Sequence, residues 1–286
     1  MGHTPEPTLL RRRLGREMRR LRTNAGMTAE AAGVVIEASD SKISRLENGK
    51  ADLKRLEISA LLQAYGADPA MTTQVLEMAE EARKPDWWAD ESSVIPSGLG
   101  TLIDVESSAT NLRAFNSMIV LGMLQTEDYA RATITAHCPD EPEDVIEGRV
   151  RLRMRRQTIL EQASPPQLEV ILDEAALRRE VGGPDVMRKQ IEHLVDVSRR
   201  PQITIRLIPY SAGAHKGQMG SYLLLSFPDA GDPDVVYSDG LLGNTFVEKK
   251  HQVASFASLF EQLRSIALNP VDTERFLLGI LKGPSA

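Results

Sequence analysis

Cysteine is nearly absent: Cys138 is the only one in 286 residues, so no internal disulfide can form and a zinc site built on several thiolates is excluded. Long apolar runs are lacking too. The longest, Met118 to Leu124, falls far short of the roughly 20 residues a membrane span needs. The opening Met1-Gly2-His3-Thr4-Pro5-Glu6-Pro7 has no apolar core of a secretory signal, and a cytoplasmic protein without a membrane partner is the expectation. There is no fixed-period repeat and no low-complexity tract. The remaining composition, 42% apolar and 26% charged, is that of an ordinary globular protein, and the length favours two domains over one.

A surplus of positive charge is also missing, since the formal net charge is −6. Taken whole, that figure argues against a nucleic-acid partner, but the charge is unevenly spread. Residues 9–50 hold ten Lys or Arg against five Asp or Glu, whereas residues 85–286 hold twenty against twenty-eight. The asymmetry separates a small basic unit from a larger acidic one. The change falls near Lys84-Pro85-Asp86-Trp87-Trp88-Ala89-Asp90, followed by Ser92-Ser93 and Pro96-Ser97-Gly98, residues that interrupt helices. The expected organisation is a head over 1–84, a linker over 85–98 and a second domain over 99–286.

The head reads as about five short helices. Leu10, Leu14, Met18 and Leu21 recur at helical spacing within a cationic surround, which Asn24-Ala25-Gly26 ends. Thr28 and Ser39 are N-cap candidates for helices over 28–35, burying Ala32 and Val35, and from 39 to Asn48-Gly49, burying Ile43 and Leu46. Further helices are predicted over 52–65, with Leu53, Leu56, Ala60 and Leu61 inward, and over 69–83, with Val75, Met78, Ala79 and Ala82. Two short helices at a tight turn match the helix-turn-helix arrangement, whose second helix enters the DNA major groove. The string from Met27 to Lys50, above all Ile43-Ser44-Arg45-Leu46-Glu47-Asn48-Gly49, resembles the Xre (phage-repressor-like) family. Two positions depart from it: Glu37 stands where the turn usually has glycine, and Ala29 where a DNA-anchoring glutamine is usual.

What the resemblance implies is sequence-specific binding of double-stranded DNA, commonly by a homodimer. Ser39, Asp40, Ser41, Lys42 and Arg45 would face DNA, with Thr28, Ser44, Asn48 and Lys50 beside phosphates. The chemistry agrees, because Lys and Arg donate to guanine and small hydroxyls reach phosphates or bases. Neither the fifth helix nor Trp87-Trp88 identifies a dimer surface, since both suit core packing equally well.

The acidic half reads as α+β. Strand-like stretches at 168–172, 203–208, 222–227 and 235–237, with helices over 143–161, 184–198, 249–267 and 271–282, suggest a mainly antiparallel sheet covered by helices. Residues 99–115 look like a helix running into an extended stretch. The segments Gly122-Met123-Leu124-Gln125-Thr126-Glu127-Asp128-Tyr129-Ala130-Arg131, Arg153-Met154-Arg155-Arg156-Gln157 and Leu172-Asp173-Glu174-Ala175-Ala176-Leu177-Arg178 are similar to a domain found behind Xre heads. That domain occurs in an actinobacterial (Streptomyces-type), antitoxin-like regulator family; Leu121 replaces its usual proline. The resemblance implies a transcriptional regulator linked to development or secondary metabolism. It would be controlled by a small neighbouring-gene protein or a small-molecule effector, with no catalytic residues to transfer.

No enzyme, cofactor or metal site is expected. Asp173 and Glu174 are adjacent carboxylates better suited to capping a helix than to sharing a substrate. His137, His193, His215 and His251 lack ligand spacing, and the glycine-rich segment 213–220 lacks phosphate-loop order. Arg149, Arg153 and Arg156 share one helix face and are the candidates for binding a ligand or partner. They suit pairing with the acids of their own domain just as well. Two alternatives stay open: an antitoxin whose main task is neutralising a protein, and a DNA-binding head fused to an enzyme.

Overall fold

The computed structural model describes residues 9–51, 54–82, 95–96, 98–228, 232–240 and 243–282. The chain divides into two units, Met1–Ala89 and Asp90–Ala286. Most of the expected linker, including Trp87 and Trp88, lies outside the described residues.

The first unit carries α1 (Leu9–Asn24), α2 (Ala29–Val35), α3 (Asp40–Glu47), α4 (Arg55–Ala64) and α5 (Pro69–Glu81). Leu14, Met18 and Leu21 of α1 bury against Ala32, Ile43, Leu46, Ile58, Leu61, Leu62, Tyr65, Val75 and Ala79. The two caps form where the sequence places them. Thr28 Oγ1 accepts from the Ala31 amide at 3.1 Å, and Ser39 Oγ from the Lys42 amide at 3.3 Å, satisfying donors that a helix start leaves open. Beyond Glu47, the amides of Gly49 and Lys50 return to the carbonyls of Leu46 and Arg45, with Gly49 at φ 72. This left-handed cap ends α3.

Two expected core positions face solvent. Val35 is 37% exposed and Leu56 82%. In α4 the buried stripe is Ile58, Leu61, Leu62 and Tyr65, at the i, i+3, i+4, i+7 spacing of one helical face. Leu56, two residues from Ile58, lies about half a turn away. Leu53 lies outside the described residues.

The turn between α2 and α3 is built on two unusual backbone positions. A Cβ on Gly33 would sit 2.5 Å from the Ala38 carbonyl oxygen, so the α2 backbone approaches the turn more closely than any other residue allows. Glu37 adopts φ 52, the left-handed conformation that glycine occupies freely. The turn therefore keeps the geometry of a glycine turn, at a conformational cost of about 1 kcal/mol.

The second unit is an α+β domain. In chain order it comprises α6 (Leu99–Ser108), β1 (Asn111–Asn116), α7 (Glu127–His137), α8 (Glu143–Gln157), β2 (Gln167–Asp173), α9 (Ala175–Arg178) and α10 (Pro184–Val197). β3 (Ile203–Ile208), β4 (Tyr222–Ser226), β5 (Val235–Gly240), β6 (Gly243–Val247), α11 (Lys250–Ile266) and α12 (Pro270–Leu281) follow. One six-stranded mixed sheet runs in the order β3-β2-β1-β4-β5-β6. The three pairings from β1 to β6 are antiparallel, making the sheet mostly antiparallel as expected. β1, β2 and β3 pair in parallel, in register Leu112 with Leu168 and Leu168 with Ile203. Helical crossovers between these strands impose the parallel direction.

One sheet face packs on α11, where Phe115, Ile171, Ile208, Tyr222, Leu224 and Val236 bury against Val253, Phe260 and Leu263. Alternation sends Leu112, Ala114, Leu168, Val170, Leu223 and Leu225 to the opposite face, where all are buried. Of the adjacent acids, Asp173 bonds the amide at the start of α9, whereas Glu174 makes no cap hydrogen bond there. Asp173 Oδ1 accepts from the Ala175 amide at 2.8 Å and Oδ2 faces His215 Nε2 at 3.0 Å, while Glu174 Oε2 accepts from the Tyr210 amide. The glycine-rich segment is packed down at Gly217, where a Cβ would meet the Phe115 ring at 2.5 Å, while its Lys216 lines a cavity beside α11.

The turn geometry makes a paired prediction. Glu37→Gly will raise the stability of the α2–α3 region by about 1 kcal/mol, whereas Gly33→Ala will lower it. Hydrogen-exchange protection of the Ile43 and Leu46 amides reads both changes, and a Gly33→Ala chain as protected as the wild type would refute the close approach.

Candidate nucleic-acid interface

The orientation of α3 is set by its buried side. Ile43 and Leu46 enter the core, and between α3 and α1 sits a carboxylate. Glu47, with its side chain 6% exposed, receives Arg22 in a two-pronged pair, Nε to Oε1 at 2.6 Å and Nη2 to Oε2 at 3.0 Å. The third Arg22 nitrogen, Nη1, donates to the Met27 carbonyl at 2.6 Å. One guanidinium thus joins α1, the turn before α2 and the end of α3, and Glu47 holds its pKa above the ordinary arginine value. A Cβ on Gly15 would lie 2.6 Å from the Glu47 carbonyl oxygen, so α1 crosses the end of α3 at the closest approach a glycine permits.

The other side of α3 faces solvent. Ser39, Asp40, Ser41, Ser44, Arg45, Asn48 and Lys50 are exposed, as is Thr28 at the start of α2; Lys42 is half-buried. The sequence-predicted residues therefore lie along one α3 surface, with Thr28 at the head of the preceding helix. Several also have local duties. Thr28 and Ser39 cap their helices, Asn48 Nδ2 donates to the Ser44 carbonyl at 2.7 Å, and Asp40 Oδ1 accepts from the Ser41 amide at 2.7 Å. Lys42 Nζ donates to Glu57 Oε1 at 2.7 Å, and Glu57 Oε2 accepts from the Lys54 amide at 2.6 Å. Lys42 holds the Glu57 carboxyl below the usual carboxylate range. Arg45 makes no hydrogen bond or ion pair among the described residues.

In the second unit the three candidate arginines, among the five of α8, have separate fates. Arg149 pairs with Glu141 at 2.8 Å and lies against the Cys138 sulfur. Arg156 forms a two-pronged pair with Glu106 of α6, at 2.7 and 3.1 Å, its partner 4% exposed. Among the described residues Arg153 hydrogen-bonds a neutral group, donating from Nη1 to Gln125 Oε1 at 2.8 Å. Arg153 and Arg156 line a cavity of about 500 Å³; Arg149 does not.

The helix-turn-helix domain family matches residues 13–75. Residues 99–279, more than half of the chain, match a domain of unknown function, DUF5753. The chain belongs to the DUF5753 family. No curated protein matches it. Among solved structures, the clp gene regulator ClgR from C. glutamicum is similar over 28% of this chain and 97% of its own, at 30% identity and a TM-score of 0.22.

Two of the segments singled out in the sequence, 122–131 and 153–157, form with Gln190 a scaffold for the 120–126 backbone. Gln125 Nε2 donates to the Val120 carbonyl, Gln157 Nε2 to the carbonyls of Gly122 and Gln125, and Gln190 Nε2 to that of Leu124, all at 2.7 to 2.9 Å. Tyr129 accepts from the Val120 amide. Among the described residues no three His, Cys, Asp or Glu groups are placed to hold a metal ion, and no helix is long and apolar enough to cross a membrane. The Arg22–Glu47 clamp escaped the sequence reading, in which Arg22 belongs to the cationic surround of the first helix. Its one signal was Glu47, a charged residue at the inward end of an otherwise apolar stripe.

Removing either half of that clamp leaves the other charge unpaired in the interior. Glu47→Gln and Arg22→Gln will each destabilise the helix-turn-helix domain by about 3 kcal/mol, and the double substitution will cost less than the sum of the two. Denaturant unfolding of the three variants measures the coupling; strict additivity would show that the pair does not act as a unit.

Proposed function

We propose that this DUF5753-family chain is a sequence-specific DNA-binding transcription regulator, of the Xre type, whose α3 reads bases in the major groove. The observation that carries the reading is the division of α3 into two sides. Ile43, Leu46 and Glu47 are locked inside, while Ser41, Lys42, Ser44 and Arg45 share the solvent side. Rigid backing and a polar, cationic front are what base readout requires. Arg45, without an internal partner, is the residue for guanine O6 and N7. Ser39, Asp40 and Ser41 sit at the α3 start beside base edges, and Thr28, Ser44, Asn48 and Lys50 approach phosphates. Lys42 exchanges Glu57 for DNA on binding. A single head covers one half-site, so a homodimer reading two half-sites about one helical turn apart completes the recognition. The C-terminal domain, with its excess of acids, adds no attraction for DNA and serves as the controlling element.

Selection of bound duplexes from a random pool will yield a preferred site. Against it, Arg45→Ala and Lys42→Ala will each cost about 1–3 kcal/mol of discrimination. Lys50→Ala will weaken all sequences alike and reduce the salt slope by about one. Glu57→Gln, which frees Lys42, will tighten binding. Full operator affinity in the Arg45→Ala and Lys42→Ala chains would overturn α3 as the reading element.

A further inference from the structure

The cavity in the DUF5753 domain lies beyond the C-terminal end of β1, the strand at which the parallel half of the sheet meets the antiparallel half. Such a change of direction opens space outside the carboxyl ends of strands, where α/β sheets characteristically take ligands. At about 500 Å³ it is in the range of small-molecule sites. Apolar walls come from Leu99 and Leu102 of α6, Ile119 to Leu121 and Leu223, with Tyr237 on β5.

Three polar features stand out against these walls. Arg153 is partly buried and has no carboxylate partner among the described residues. Burial, with the like charge of Arg156 nearby, pulls its guanidinium down to about 10, so it stays charged at neutral pH while poorly compensated. Asn116 is 8% exposed, and its Oδ1 is buried without a hydrogen bond. Buried polar atoms are normally satisfied, and the exceptions mark sites that await a partner. The third feature is a charge balance: Arg156 is neutralised by Glu106, and Asp239 stands exposed on the lining. Asp239 offsets Arg153 only through space, with no hydrogen bond or ion pair between them among the described residues, so a wall that already carries one acid admits a single further negative charge and disfavours a dianion such as phosphate.

We propose that this cavity binds a small monocarboxylic acid with an apolar, ring-sized body, its carboxylate on Arg153 and its body between Leu102, Leu121 and Tyr237. A donor group on the ligand would satisfy Asn116. Arg153 is the specificity-determining residue, and the Gln125 side chain that orients it also holds the Val120 carbonyl, so occupancy bears directly on the 120–126 backbone. This names the ligand class for the controlling domain proposed above and rests on that reading only for its consequence. Binding itself is measured without DNA.

The test is calorimetric titration of the full chain with 1-naphthoate, with neutral 1-naphthamide and with inorganic phosphate. Naphthoate is expected to bind, and the amide and phosphate to bind at least about tenfold more weakly. Arg153→Met will reduce naphthoate affinity by about tenfold or more, while the exposed change Asp239→Asn will tighten it about threefold. Equal binding of acid and amide, preference for phosphate, no binding of naphthoate by the wild-type chain, or insensitivity to both substitutions would overturn the proposal. A loss of fold in Arg153→Met leaves the ligand comparison on the wild type and the Asp239→Asn arm decisive. Operator binding by the same chains separates a failed cavity from a failed recognition helix.

Discussion

A carboxylate taken out of water has to be paired, and in the helix-turn-helix domain that requirement organises everything around it. Glu47 closes α3 from the inside and Arg22 answers it from α1 while also holding the Met27 carbonyl. Hydrophobic burial is non-directional and would accept α3 in several rotations. The two-pronged ion pair accepts one. α3 has eight residues, too few to be stable alone, so the clamp together with the Ile43 and Leu46 contacts determines which side chains remain outside. The reading surface is thus a by-product of what had to be buried.

The second unit meets a different demand, namely irregular backbone that runs through the interior. Residues 120–126 have no sheet or long helix to satisfy their backbone groups; three glutamines donate to their carbonyls instead, and the Tyr129 hydroxyl accepts from the Val120 amide. The same side chains that stiffen this segment bring α8 beside it, with Gln125 bridging Arg153 and the Val120 carbonyl. The structural scaffold and the walls of the cavity are therefore one set of residues, which is why the sequence segment looks like structure and not like a site.

Much of the helix pattern could be read directly. Ile43 and Leu46, the Thr28 and Ser39 caps and the stop at Gly49 follow from local chemistry over a few residues, and the structure retains them. The strands at 168–172 and 203–208 announce themselves through branched apolar runs. β1, Asn111–Asn116, falls in the extended stretch expected after the helix at 99, although its two asparagines and arginine lack such a run; β6, beginning Gly243-Asn244-Thr245, carries no mark and is a strand because β5 offers a hydrogen-bonding edge. Val35 and Leu56 were misplaced because an apolar residue fits a helical period approximately, and only packing chooses between adjacent faces.

The charge deficit shows the same division. By itself the sequence determines that positive charge is concentrated in residues 9–50, that short capped helices form there, and that no disulfide supports the fold. These depend on residue identity and short-range spacing. What became of each charge was decided by the tertiary structure. Arg22 was taken inward by Glu47, Lys42 was paired with Glu57, Arg156 was neutralised by Glu106, and Arg45 and Arg153 were left facing outward and into a cavity. Pairing depends on distances of a few ångströms between residues far apart in the chain, and those distances come into being only when the core has packed.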